Sequence, residues 1–190
     1  MIEEIIKKRS AVYPKSYNGE IISKEVLLEL LDLANRAPSH RKTEPWRFQV
    51  FQSEASRNAL SQNLGRLYME TTPDKLQNDT KLAKLIRRPL ISSVVIAVNM
   101  SRQIEEKIPE IEEIEAVSCA IQNMQLTANA YGIGAFWSTP KLIYTSGMNT
   151  YLNIKEKDKC LGLIYLGYTR EEWPKSHRKP IEYNTIWKTP

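Results

Sequence analysis

Residues Ile114 to Thr139 read IEAVSCAIQNMQLTANAYGIGAFWST. Apolar side chains recur in the first part of this stretch at spacings of three and four residues, which is typical of a helix with one buried face. Many of these side chains are small, so neighbouring backbones can approach the helix closely. Gly132 and Gly134 form a helix-stop signal, and residues 135–140 then predict a short buried strand that enters a loop. The stretch therefore predicts a core helix that leads into a core strand.

The bulk composition predicts a single domain over residues 1–190, because a chain of this length can bury a hydrophobic core. A content of 42% hydrophobic and 26% charged residues is typical of globular proteins. No apolar run reaches the length of a membrane span, and the N-terminus MIEEIIKKRS shows no secretory signal. Cys119 and Cys160 fit neither a disulfide framework nor a zinc motif, and both are expected to be buried free thiols. We therefore expect a cytoplasmic protein with no membrane association.

Outward from the central stretch, helices and strands alternate, with helices in excess. Helices are predicted at residues 2–9, 23–36, from 53 onward, at 75–86 with Pro89 closing that segment, and at 140–152. Strands are predicted at residues 46–51, 90–100 and 159–168. The expected architecture is a sheet of four or five strands with helices on both faces, which is a three-layer α-β-α sandwich. The tail from residue 170 has little periodicity and is expected to need a partner surface.

Motifs that carry chemistry by themselves are scarce in this sequence. It contains no metal-ligand cluster, no nucleophile elbow and no P-loop, and Gly132-Ile133-Gly134 lacks the third glycine of a dinucleotide fingerprint. Glu112 and Glu113 are explained by the positive end of the helix dipole and need no catalytic role. If the chain is an enzyme, a cofactor is therefore expected to carry the difficult chemistry. The net charge of +5 suits phosphorylated ligands, and no nucleic-acid partner is expected, because the charges are dispersed.

Four stretches together resemble the FMN-dependent nitroreductase family, most closely its short single-domain members. They are Lys8-Arg9-Ser10, the segment Ala34–His40 with Pro45–Phe48 behind it, the central stretch, and Gly162–Tyr168 followed by Arg178-Lys179-Pro180. The resemblance implies an α+β fold with a central mixed sheet flanked by helices. It also implies a homodimer with FMN at the subunit interface. The resemblance further implies ping-pong chemistry, in which a hydride passes from NAD(P)H through flavin N5 to an acceptor such as a nitroaromatic or a quinone.

The resemblance implies no catalytic side chain, since the flavin N5 carries the chemistry, but it does imply a cofactor-binding set. That set consists of Lys8, Arg9, Ser10, Arg36, His40, Trp137, Ser138, Thr139 and Arg178. Arg9, Ser10 and Arg178 are expected to bind the FMN phosphate, which favours cationic and hydroxyl donors. Lys8 is expected to stabilise negative charge near N1 of the reduced flavin. Arg36 and His40 would reach the flavin from the partner subunit, and residues 137–139 would lie beside its ring.

Each of these residues also has a purely structural interpretation. A Lys-Arg-Ser sequence at a helix end is often a solvated terminus, Trp137 in an apolar run is usually core, and Arg178 could belong to a plain basic tail. Two positions depart from the family pattern, because Lys8 replaces an arginine and Ser138 stands where short relatives often have one. These departures leave open a flavin-binding protein with a specialised or non-reductase role. A nucleic-acid-binding module is a third possibility that rests on the net charge alone.

Overall fold

Short polar side chains fix where several helices of this chain begin. In the computed structural model, Ser23 accepts a hydrogen bond from the Val26 N–H at 3.3 Å, and Asn78 accepts one from the Lys81 N–H at 2.9 Å. The structure describes residues 1–188. Its helices are α1 (Ile2–Lys8), α2 (Lys24–Ala34), α3 (Glu54–Thr71), α4 (Asp79–Ile91), α5 (Glu110–Ala130) and α6 (Ser146–Leu152). Its strands are β1 (Trp46–Phe51), β2 (Val94–Met100), β3 (Ile133–Ser138) and β4 (Lys159–Tyr168).

The four strands form one sheet in the order β1-β2-β4-β3, and all three pairings are antiparallel. The prediction of a mixed sheet was therefore wrong for residues 1–188. Two helices, α3 and α4, connect β1 to β2, so the chain returns in the opposite direction. The single helix α5 leaves β2 and β3 pointing the same way, but β4 lies between them and runs opposite to both.

The sheet is covered on both faces, so the predicted α+β three-layer sandwich is confirmed. One core lies under α2 and α5 and contains alternate residues of β2, among them Val94, Ile96 and Val98. The other core lies under α3 and α6 and takes the intervening residues Val95 and Ala97. All seven residues of β2 are buried, because neither of its faces meets solvent. None of the helices in the described part is long and apolar enough to cross a bilayer.

Several local predictions need correction. Pro89 does not end its helix but lies in the last turn of α4, which runs to Ile91, so strand β2 begins only at Val94. Cys119 is exposed on α5, whereas Cys160 is buried as expected. The helix predicted at 140–152 is divided into a 3₁₀ turn (Lys141–Tyr144) and α6, because Thr145 caps the second segment. The single-domain assignment stays a prediction.

The first turn of α5 is joined to the loop after β2 by a buried ion pair. Glu113 is 1% exposed, and its carboxylate accepts a hydrogen bond from Arg102 Nη1 at 2.5 Å and another from the Gln103 N–H at 3.2 Å. The sequence indicated only a dipole role for this acid. The structure shows that it also holds the chain at the entry to α5.

Loss of the cation in this pair should destabilise the fold strongly. Arg102→Met leaves the Glu113 carboxylate buried without its charged partner, which typically costs about 3–5 kcal/mol of unfolding free energy. The matched change Lys159→Met removes a cation that pairs with Glu110 at 2.7 Å on the surface, and it should cost less than about 1 kcal/mol. Urea unfolding of both variants measures the difference, and equal losses would contradict a structural role for the buried pair.

Candidate functional site

The segment that follows α1 lies along the free edge of β3. Strand β3 pairs with β4 on one side only, and on its other side the Val12 N–H donates to the Ala135 carbonyl at 3.1 Å. Ser10 and Trp137 each lie two residues from this bond, at most about 7 Å along the chain. The structure therefore brings two of the predicted stretches, Lys8–Ser10 and Trp137–Thr139, to the same edge of the sheet.

Tyr17 holds this segment in place. Its hydroxyl lies 2.9 Å from the Tyr165 carbonyl and 3.0 Å from the Val12 carbonyl. Burial, together with the neighbouring Tyr165, raises the pKa of Tyr17 far above its ordinary value. The hydroxyl therefore stays protonated and remains a donor throughout the physiological pH range.

Ser10 is the most informative residue of the site. It is 7% exposed, and its hydroxyl has no hydrogen-bond partner in the part of the chain that the structure describes. An unpaired buried hydroxyl costs about 1–3 kcal/mol, so such a group is uncommon unless something else satisfies it. Beside it, Arg9 Nη1 makes only a long 3.5 Å hydrogen bond to Gln125 Oε1. Neither Arg9 nor Lys8 pairs with a carboxylate within residues 1–188.

The C-terminal segment returns to this region at Trp173. The ammonium of Lys8 lies 5.4 Å from the centre of the Trp173 ring, a cation–π distance. Arg178 is exposed and donates to the adjacent His177 carbonyl at 2.8 Å. Among the described residues, no hydrogen bond or ion pair joins Arg178 to Lys8, Arg9 or Ser10, so the structure does not bring the predicted phosphate ligands together completely.

Trp137 is not a core residue, because 38% of it is exposed. Its indole Nε1 donates to the Leu161 carbonyl at 3.0 Å, and the ring lies against the backbone of Gly162 on β4. A side chain at Gly162 would collide with the indole, and its φ of +150° also disfavours other residues. Of the two residues after Trp137, Ser138 is buried and Thr139 is exposed.

Arg36 and His40 lie away from the Lys8–Ser10 group in the same chain. The end of α2 contacts α5 where Asn123 Nδ2 donates to the Leu33 carbonyl. Gln125, which contacts Arg9, points about 200° away from Asn123 around the α5 axis. His40 Nδ1 contacts Glu112 Oε2, which lies about 20 Å along α5 from Gln125. Arg36 is exposed and pairs with Asp32 at 3.3 Å. One chain thus carries the predicted residues as two separate groups.

Two contributors, Gln125 and Trp173, were missed from sequence, and Gly162 was named only as part of a family stretch, without its role beside Trp137. An isolated glycine inside a strand pattern is a signal of close backbone approach, and this signal was available for Gly162. Gln125 and Trp173 gave no sequence signal, because their contacts join segments far apart in the chain. Within residues 1–188, no group of three or more His, Cys, Asp or Glu side chains could hold a metal ion.

This chain is similar to several known proteins. YfhC of Bacillus subtilis, provisionally named an NAD(P)H nitroreductase, is 29% identical over 95% of this chain and 91% of its own length. A nitroreductase-like family protein from Bacillus cereus superposes with a TM-score of 0.84 at 24% identity, over 100% of this chain and 97% of that one. The FMN-dependent nitroreductase NfnB from Mycobacterium smegmatis, solved with NADPH, gives 0.75 at 18% identity over 98% and 97%. These two structures establish the likeness of fold.

The sequence profile of the Nitroreductase family matches residues 6–168, which include all four strands and the Lys8–Ser10 segment. The match therefore covers most of the chain. This chain belongs to the Nitroreductase family.

Proposed function

We propose that this chain is an FMN-dependent oxidoreductase that uses NAD(P)H to reduce an organic acceptor such as a nitroaromatic or a quinone. The observation that carries the proposal is the buried, unpartnered Ser10 hydroxyl beside an unneutralised Arg9, within the segment that the family profile covers. Bound FMN would supply two-electron transfer from NAD(P)H to the acceptor, and the residues described below would hold it.

The residues at the β3 edge fit the phosphate of such a cofactor. Ser10 offers a hydroxyl without a competing partner, and Arg9 offers a guanidinium that holds only a neutral amide. A phosphate dianion would satisfy both groups with charge-assisted hydrogen bonds. We propose that Arg178 joins them when the C-terminal segment closes on the bound phosphate. Lys8 would then lie where it can stabilise negative charge on the reduced ring.

Trp137 gives the site a rigid apolar wall. Its indole is held by the hydrogen bond to the Leu161 carbonyl and by contact with the Gly162 backbone, where no side chain intervenes. The indole can therefore exclude water from one side of a planar ligand without reorganising. We propose that Thr139, which is exposed, supplies the hydroxyl at the ring edge, with Ser138 contributing its backbone.

We propose a homodimer in which each FMN lies between two subunits. This proposal is supported by the separation of Arg36 and His40 from the Lys8–Ser10 group, because a second copy can bring both groups to one ligand. Exposed apolar side chains in the tail, including Ile186 and Trp187, also favour a partner surface. The cytoplasmic location and the absence of a nucleic-acid partner remain proposals from the sequence.

A specialised or non-reductase flavin protein is the second candidate. One observation favours it: position 138, where the family resemblance implies an arginine, holds a serine that is 7% exposed and carries no charge. The site therefore has one cation fewer for binding a negatively charged donor or acceptor.

The absorption spectrum of freshly purified protein tests the proposal. We expect flavin bands near about 450 nm that bleach when NADPH or NADH is added without oxygen, since the flavin carries the electrons. Bands that persist after both additions would favour the second candidate. Absence of flavin bands after incubation with FMN would overturn both.

Ser10→Ala should separate ligand binding from stability. Because the hydroxyl is unpaired, its removal should leave the stability of the FMN-free protein unchanged or raise it slightly, while FMN affinity falls by roughly tenfold. Ser61 is also buried, but its hydroxyl donates to the Ile86 carbonyl at 2.6 Å. Ser61→Ala should show the opposite pattern, with lower stability and unchanged affinity. Thermal melts and FMN titration measure both, and unchanged affinity in Ser10→Ala would contradict the assignment.

Mixing two defective variants tests the shared site. Arg9→Gln/Ser10→Ala and Arg36→Gln/His40→Gln should each bind FMN poorly as homodimers. When they are unfolded together and refolded in equal amounts, half of the dimers should be hybrids. Each hybrid has one intact site and one doubly defective site, so about a quarter of all sites should regain FMN. Flavin fluorescence after gel filtration counts the restored sites. No recovery in verified hybrids would show that all ligands come from one chain.

A further inference from the structure

A cleft of about 440 Å³ lies between the turn Pro14–Ser16 and helix α4. This volume lies within the range of small-molecule sites. Four cations line it, namely Lys15, Lys84, Arg87 and Arg88, and Tyr13 and Ile91 supply apolar surface. Among residues 1–188, no acidic side chain lines the cleft.

The four cations are not neutralised by the chain itself. None of them makes an ion pair with a carboxylate anywhere in residues 1–188. Lys84, Arg87 and Arg88 stand three and four residues apart, on one face of α4, where like charges destabilise a helix. An anion in the cleft would remove this repulsion.

The walls of the cleft are held in position before any ligand arrives. The Arg88 guanidinium lies 4.9 Å from the centre of the Phe136 ring, and the Tyr13 ring packs on the same ring at 4.5 Å. Pro14 is buried, and Tyr17 bonds the segment to β4. Lys15 and Arg88 therefore project from fixed backbone next to an aromatic surface, an arrangement suited to a ligand with both charge and a planar ring.

This cleft is distinct from the flavin site proposed above. Phe136 and Trp137 are consecutive in β3, so their side chains point to opposite faces of the sheet. Phe136 packs against the core that α3 and α6 cover, whereas α5, which touches Arg9, covers the other face. A ligand in the cleft would therefore leave the flavin site free.

We propose that the cleft binds a small organic anion that carries at least two negative charges, on phosphate or carboxylate groups, beside an aromatic ring. Several cations line one open cleft and can share two or more charges of one ligand. A duplex is less favoured, because these cations do not form an extended stripe that follows successive phosphates. The proposal does not depend on flavin chemistry.

Calorimetric titration of the FMN-saturated wild-type protein tests the ligand class. The probes are ADP, benzene-1,3,5-tricarboxylate, pyrophosphate and adenosine. We expect ADP, the tricarboxylate or both to bind. Binding of ADP alone identifies phosphate as the charged group, binding of the tricarboxylate alone identifies carboxylate, and binding of both shows that the cleft accepts either. Adenosine should not bind, and pyrophosphate should bind more weakly than ADP. Equal binding of pyrophosphate and ADP would overturn the role of the ring, and no binding of any probe would overturn the proposal.

A charge-matched pair of variants assigns the site. Lys84→Gln/Arg87→Gln should weaken probe binding by at least about tenfold, because two charge-assisted contacts are lost. Lys75→Gln/Lys81→Gln removes the same charge from exposed positions outside the cleft, and it should change the affinity by less than about twofold. Thermal melts verify that both variants fold. Equal losses in the two variants would overturn the assignment, whereas the flavin spectrum of the first variant reports separately on the flavin site.

Discussion

The backbone hydrogen bond from Val12 to Ala135 is the contact on which the candidate site depends. Helices cover both faces of the sheet, so the edge of β3 is where a loop can meet the strand backbone. The bond attaches the N-terminal segment to this edge and thereby places Lys8–Ser10 beside Trp137–Thr139. Tyr17 reinforces it through the Val12 and Tyr165 carbonyls, so a protonated phenol, kept neutral by burial, preserves the geometry of a charged site.

Helix α5 explains why one chain carries its predicted ligands in two groups. Its 21 residues span about 30 Å, and Arg9 contacts it near one end while His40 contacts it near the other. Its core-facing side is largely alanine, valine and methionine, which lets it lie close to the sheet. A long helix that is packed in this way cannot bend to bring its two ends together. The proposed site between two copies would bring both groups to one ligand.

Local sequence signals predicted the elements well where they act over a few residues. Ser23 begins α2 as a cap should, and β4 spans residues 159–168 as its branched and aromatic residues indicated. The predictions that failed concern features set by contacts between distant parts of the chain. Strand direction depends on which strands become neighbours, and β4 lies between β2 and β3 only through long-range pairing. Pro89 stays inside α4 although it has no N–H to bond the Leu85 carbonyl four residues earlier, and its ring is buried in the fold, which the local sequence does not reveal.

The candidate site shows the same division between local and long-range information. Residues 8–10 could be singled out from sequence, but only the structure shows that the Ser10 hydroxyl is buried without a partner. Similarly, the excess of 27 basic over 22 acidic residues gave no location for the surplus charge. Unneutralised cations lie beside Ser10 and between Lys15 and α4, among other unpaired cations of the described chain. We propose that the cations at these two places bind small anions, whereas a nucleic-acid partner would favour a continuous basic stripe.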